Sequence, residues 1–254
     1  MKRLLFVLLL TLPVSASAND DAKLAFTQHP GAPLPVDAPL VDETGHATTL
    51  RAAAAGLPLV IVPGYFHCPN LCSTVRADLL HALADTKLVQ GRDYALAAIT
   101  IDPAESPATA AATRHADLMQ YPLPGGATDV HYLTGPAASL EAIAGAEGFH
   151  ARYDKLLKQF MHPAGLVFAT PGGRVSGYLL GVGYTPAALT AAIGRAQRRL
   201  SAFAQPILLL CFHFDPTTGR YTVAVVKLLR LAAALTVVTL GGTLLLMHRR
   251  GGRA

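Results

Sequence analysis

Cys68 and Cys72, in the stretch GYFHCPNLCSTV, are two of the chain's three cysteines. Pro69, Asn70 and Leu71 separate them, one residue more than in a thioredoxin-type redox pair. Two thiols at this spacing allow a structural disulfide, a reversible redox pair or a metal clamp. Residues i and i+4 share a helix face, so at a loop-to-helix turn both sulfurs can reach one ion. They can also approach closely enough to oxidise. The positive end of a helix favours thiolate over thiol, and thiolate is both the nucleophile and the metal ligand.

Two thiolates leave a structural zinc site incomplete, because that site usually takes four protein ligands. Cu(I) is softer, accepts low coordination and is selected by thiolate. One imidazole would complete a three-coordinate copper site. Of the ten histidines, His67 adjoins Cys68, but at a strand end its side chain tends to turn the other way. His162, in KQFMHPAGLVF, is the other candidate.

The elements that must position these residues follow from the apolar pattern. Leu57 to Phe66 is a continuous apolar run, which suits a strand buried on both faces. The cysteines follow it directly. Ser73 to Lys87 has apolar residues at helical spacing. Tyr94 to Asp102 is a second strand. Ser106 to Met119 is a helix with Ser106 as N-cap and Pro107 at its first position. Val130 to Gly135 is a short strand, and Pro136 to Gly148 a helix ended by glycine. Pro163 to Gly181 reads as two short strands around Pro171-Gly172-Gly173, a hairpin signal. Thr185 to Leu200 is a last helix, capped by Thr185 with Pro186 behind it. This order, βαβαβα and then a hairpin and a helix, predicts an α/β, thioredoxin-like fold. In such a fold the loop carrying His162 lies beside the thiol motif.

The ends of the chain point to a membrane. Lys2 and Arg3, the apolar run Leu4 to Leu12 and Ala16-Ser17-Ala18 have the three parts of a signal peptide, with cleavage expected after Ala18. Leu231 to Met247 carries no charge and is at the short end of the roughly 17–25 residues that a bilayer core needs. His248, Arg249 and Arg250 stop it. The expected organisation is a signal peptide over 1–18, an extended leader over 19–39 and a thioredoxin-like domain over 40–200. A juxtamembrane extension follows over 201–227, then a C-terminal transmembrane helix over 228–248 and a basic tail over 249–254. The signal peptide sends the domain to the periplasmic, extracytoplasmic side. The formal net charge is +5, yet no Lys/Arg run is interleaved with aromatics, so nucleic-acid binding has no support.

The third cysteine lies between domain and anchor. Cys211, His213 and Asp215 alternate, and on a strand they would face one side. They form a possible second metal-handling group, with a buried thiol in a packed extension as the plainer reading.

GYFHCPNLC after an apolar strand, AAITIDPAESP after the next, HYLTG and FMHPAGLVFATPGGRV occur together in one order. In this the chain resembles the Sco/SenC family, thioredoxin-like copper proteins of cytochrome c oxidase assembly. The resemblance covers roughly residues 35–193. It implies that Cys68, Cys72 and His162 are copper ligands, for Cu(I) and also for Cu(II). It also implies that Asp102 is the acidic residue near the metal. The implied function is a membrane-tethered copper chaperone that delivers copper to the binuclear copper site of a cytochrome c oxidase subunit. The alternative is a thiol-disulfide reductase that uses Cys68 and Cys72 to keep the acceptor's cysteines reduced. Three departures from the family pattern bear on local electrostatics: Ser73 replaces a proline, Met161 an aspartate, and Ser106 stands near the place of a second acid.

Overall fold

The computed structural model of the chain describes residues 26–68 and 71–199, with short pieces at 214–215, 220–221, 233–236 and 239–241. The side chains of Leu71 and Cys72 are not among what is described. The domain is built on a five-stranded sheet. Its strands are β3 (Leu59–Gly64), β4 (Ala95–Thr100), β5 (Val130–Leu133), β8 (Gly165–Ala169) and β9 (Val175–Leu180), in the order β5-β4-β3-β8-β9. The first three are parallel, and β8 and β9 run antiparallel to their neighbours. Small two-stranded sheets are made by β1 (Leu40–Val41) with β2 (Ala47–Thr48) and by β6 (Arg152–Asp154) with β7 (Gln159–Met161).

Every residue of β3, β4 and β8 is buried, so these strands read as unbroken apolar runs. Their alternation survives in the packing. Val60 and Val62 of β3 face one cluster with Leu79, Leu80 and Leu83 of α2 (Leu71–Ala84). Ala110 of α3 (Pro107–Gln120) and Leu189 and Ile193 of α5 (Pro186–Gln197) join it. Leu59 and Ile61 face a second cluster, with Leu50 of α1 (Leu50–Ala54) and Leu140 and Ile143 of α4 (Ala137–Glu147). Helices therefore cover both faces, and the βαβ half joined to an antiparallel hairpin matches the predicted thioredoxin-like order.

The helix caps follow the sequence. Ser106 Oγ accepts from Thr109 N at 3.2 Å and Thr185 Oγ1 from Ala188 N at 3.2 Å, each with proline next. Such a cap stabilises a helix by about 1 kcal/mol. The hairpin turn forms where expected, with Thr170 N donating to Arg174 O at 2.8 Å.

Residues 26–36, inside the expected leader, pack against the domain. Thr27 N donates to Gly148 O at 2.8 Å, Gly31 N to Val175 O at 2.7 Å and Leu34 N to Gly173 O at 2.8 Å. Gly148 closes α4 at φ 65°, and a Cβ there would collide with the carbonyl of Thr27. The strap thus needs glycine at the helix end, and it seats Phe26 against Phe149 at 5.1 Å.

The predicted signal peptide lies outside the described residues, as do Cys211, His213 and most of the predicted span at 228–248. Within that span, residues 233–236 and 239–241 are helical. Among the described residues no helix is long and apolar enough to cross a membrane, so the predicted transmembrane helix finds no support there. In the tail, β10 (Phe214–Asp215) pairs antiparallel with β11 (Arg220–Tyr221), which sets Asp215 opposite Arg220.

Candidate metal centre

The ladder between β3 and β8 ends at Ile61 and Val167. Pro63 lies beyond that point and has no N–H, so β8 loses no ladder bond to it. The chains that splay apart there, residues 62–66 and 162–164, wall a small cleft. His162 comes from one wall and the root of the cysteine loop from the other.

Glu105 holds the cysteine loop in place. Its carboxylate accepts from Phe66 N at 2.9 Å and from His67 N at 2.7 Å, immediately before Cys68. Thr100 Oγ1 donates to the same carboxylate at 2.5 Å. The Glu105 side chain is only 3% exposed, so two backbone donors and one hydroxyl compensate a charge that burial would otherwise penalise. His67 stays out in solvent, with Nδ1 3.3 Å from Glu105 Oε1 and its side chain 74% exposed.

Asp102 closes the turn that follows β4. Its carboxylate accepts from Ala104 N at 2.9 Å and closes its own turn, while Asp102 O accepts from Glu105 N at 3.1 Å. Asp102 builds the turn that presents Glu105. Ser106 is occupied as the helix cap, and the acid of this segment is Glu105, one residue earlier. A hint lay in DPAE: an acid at the carboxyl end of a parallel strand, where open α/β sheets place their ligand crevice.

Phe66 is fixed from below as well. Its ring stacks on Tyr132 with centroids 5.5 Å apart. Tyr132 OH donates to Asp117 Oδ2 at 2.8 Å, and Arg76 Nε donates to the same oxygen at 2.6 Å. Burial and the adjacent Asp117 carboxylate keep the Tyr132 phenol protonated, well above its usual range.

Cys68 is half-buried just beyond this clamp. Cys72 is the second residue of α2, which starts two residues earlier than the periodicity predicts. Its backbone stands in the first turn, where the positive end of the helix dipole favours thiolate.

His162 follows the β6–β7 hairpin directly. Its Nδ1 lies 2.8 Å from Pro163 O. A carbonyl only accepts, so Nδ1 carries the proton and Nε2 of the neutral ring carries the lone pair. Burial pushes its pKa below the usual histidine value, against a smaller upward pull from the Pro163 carbonyl. The ring rests edge-on to Tyr65 at 5.8 Å and against Phe149 at 5.5 Å. Tyr65 stands three residues before Cys68, so the structure brings His162 to the base of the cysteine loop. Among the described residues no three His, Cys, Asp or Glu side chains gather as a metal-holding group, and the Cys72 side chain lies outside them.

Comparison with known proteins fits this geometry. The family model SCO1/SenC matches residues 36–198. No curated protein matches the sequence significantly. Among solved structures, a candidate electron transfer protein from Aquifex aeolicus VF5 is similar at TM-score 0.58 and 22% identity, over 67% of this chain and 95% of that one. Arabidopsis thaliana ScoI with copper bound is similar at TM-score 0.52 and 17% identity, over 67% and 99%. BsSco, a Sco-family cytochrome c oxidase assembly protein with an identified disulfide switch, is similar at TM-score 0.50 and 16% identity, over 67% and 95%. These likenesses show a mixed α/β, thioredoxin-like Sco fold. The match of the family model over most of the chain makes the protein a member of the SCO1/SenC family.

Proposed function

We propose that this protein is a copper chaperone that carries copper on Cys68, Cys72 and His162 and passes it to a copper-accepting subunit of cytochrome c oxidase. The observation that carries this reading is the seat of His162. A half-buried imidazole with its proton on Nδ1 presents Nε2 as a ligand atom, at the base of the loop that holds Cys68. A neutral imidazole joined to two thiolates is a soft set that suits Cu(I). Copper bound to Arabidopsis ScoI, a protein of the same fold, supports it. Cu(II) would use the same ligands. Residues 1–18 act as a signal peptide in this reading, and residues 228–248 as a span that tethers the domain on the periplasmic side. Tethering keeps donor and acceptor at high effective concentration. Cys211 and His213, close to that span, are a candidate second group.

A second reading shares the two cysteines. A thiolate in the first turn of α2 suits exchange through a mixed disulfide, and BsSco has a disulfide switch. In that reading the protein reduces the acceptor's copper-ligand cysteines.

Replacing His162 with Ala separates the two. The chaperone reading expects Cu(I) affinity to fall by more than the roughly 10–100-fold that loss of a ligand's supporting partner costs, with thiol-disulfide exchange retained. Competition with a Cu(I) chelator measures the first and reduction of an oxidised acceptor domain the second. Unchanged copper affinity in His162→Ala would eliminate the three-ligand site.

A further inference from the structure

The β6–β7 hairpin ends in Lys155-Leu156-Leu157-Lys158, and its tip points two leucines into water. Leu156 is 94% exposed and Leu157 is 59% exposed. A single exposed leucine needs no explanation. Here two are adjacent, and the fold holds them there. Asp154 Oδ1 accepts from Leu156 N at 2.8 Å and from Leu157 N at 3.0 Å, which pins the tip backbone. Lys158 completes the turn at φ 51°. Tyr153, also exposed, leans edge-on against Phe160 at 5.1 Å across the two strands of the same hairpin. The charges of the hairpin are Arg152, Lys155 and Lys158 against Asp154 alone, whose carboxylate is engaged in the turn.

We propose that this hairpin is a lipid-docking finger: Leu156 and Leu157 enter the interface of an anionic membrane while Lys155 and Lys158 hold its headgroups. The shape selects lipid over protein. A stable protein interface buries about 800 Å² on each partner, and a convex tip of four residues offers far less. Insertion into a bilayer interface needs only a few apolar side chains with cations around them. Each Lys or Arg near an anionic surface raises partition about fivefold. The three-residue strand β7 leads from the tip to His162, so docking would hold the candidate metal centre close to the membrane surface. The proposal stands on the hairpin alone and does not depend on which metal, or none, is bound.

The chain has no tryptophan, so a single one introduced at the tip reports without background. Leu156→Trp changes a side chain that packs on nothing, and the fold should tolerate it. The full chain carrying it is reconstituted into phosphatidylcholine vesicles with and without phosphatidylglycerol, prepared with brominated acyl chains. Docking predicts a blue-shifted emission and strong bromine quenching in the anionic vesicles. Both should weaken in neutral vesicles, and the docking equilibrium should fall about 25-fold after Lys155→Gln and Lys158→Gln together. Met119→Trp, on an exposed position of α3, should stay unquenched. The proposal is overturned if the tip tryptophan remains in water in both vesicle types or if the position-119 tryptophan is quenched equally. It is also overturned if only an acidic protein domain, and no vesicle, shifts the tip emission.

Discussion

At pH 8 the Glu147→Gln variant is expected to unfold at higher denaturant than the wild type, with a stability gain of up to about 5 kcal/mol. Glu147 ends α4 and is 1% exposed, and its Oε1 has no hydrogen-bond partner in the structure. Burial alone raises its pKa from 4.5 to about 8. The unfolded chain releases this proton near pH 4.5, whereas the folded chain keeps it until about pH 8. The folded state is therefore favoured fully below pH 4.5, and that advantage declines as pH rises through 8. Above that pH both states are ionised and the loss is complete. Glutamine keeps the shape and cannot ionise. Any cost of seating its amide is the same at every pH, so the diagnostic is the slope. Urea unfolding between pH 5 and pH 9 should show wild-type stability falling while the variant stays level at this site. Parallel curves would show that Glu147 does not ionise at a buried site. The residue adjoins Gly148, where the N-terminal strap is bound, and Phe149, which supports His162. Ionisation of Glu147 would thus strain the part of the domain that backs the candidate centre.

The second large effect is at Glu105. Glu105→Ala leaves Phe66 N and His67 N without their acceptor and leaves Thr100 Oγ1 only its longer bond to Asp102 O at 3.4 Å. A buried orphaned donor costs about 1–3 kcal/mol, so a total loss of roughly 3–5 kcal/mol is expected. Part of the effect is local, because these donors fix the backbone just before Cys68. Hydrogen exchange at the Phe66 and His67 amides should quicken in the variant. Copper affinity should fall by about 10–100-fold, as it does when a ligand's supporting partner is lost. Glu105→Gln is the sharper control, since its NH₂ would face one of the two amides and spare the other bond. Unaltered exchange at both amides would remove Glu105 from the account.

The parts of the fold that depend on local signals were legible in the sequence. Ser106-Pro107 and Thr185-Pro186 marked helix starts to the residue, because capping is a matter of neighbours. The buried strand was visible in Leu59 to Gly64 because a sheet covered on both faces needs no polar alternation. The thiol motif was found, although the helix behind it begins at Leu71 and so takes in Cys72. What escaped rests on contacts distant in sequence. Glu105 reaches back 39 residues to Phe66. The strap at 26–36 is held largely by backbone hydrogen bonds, which leave no mark in side-chain pattern, so its Pro- and Ala-rich composition read as a leader. The β6–β7 hairpin was hidden because its two strands have three residues each and its tip puts leucines outside. His162 was a candidate from its place just before the first hairpin strand, and the family resemblance implied its role as a ligand. Its tautomer needed the Pro163 carbonyl, which only the folded chain supplies.

The most direct test of the central claim is X-ray absorption on the reduced full-length protein loaded with Cu(I), with copper counted per chain. The account predicts one copper per chain with two sulfur ligands and one imidazole nitrogen, and loss of that nitrogen in His162→Ala. A second copper would bring in Cys211 and His213. A chain that retains no copper, or holds it through ligands that survive Cys68→Ser and His162→Ala, would contradict the account.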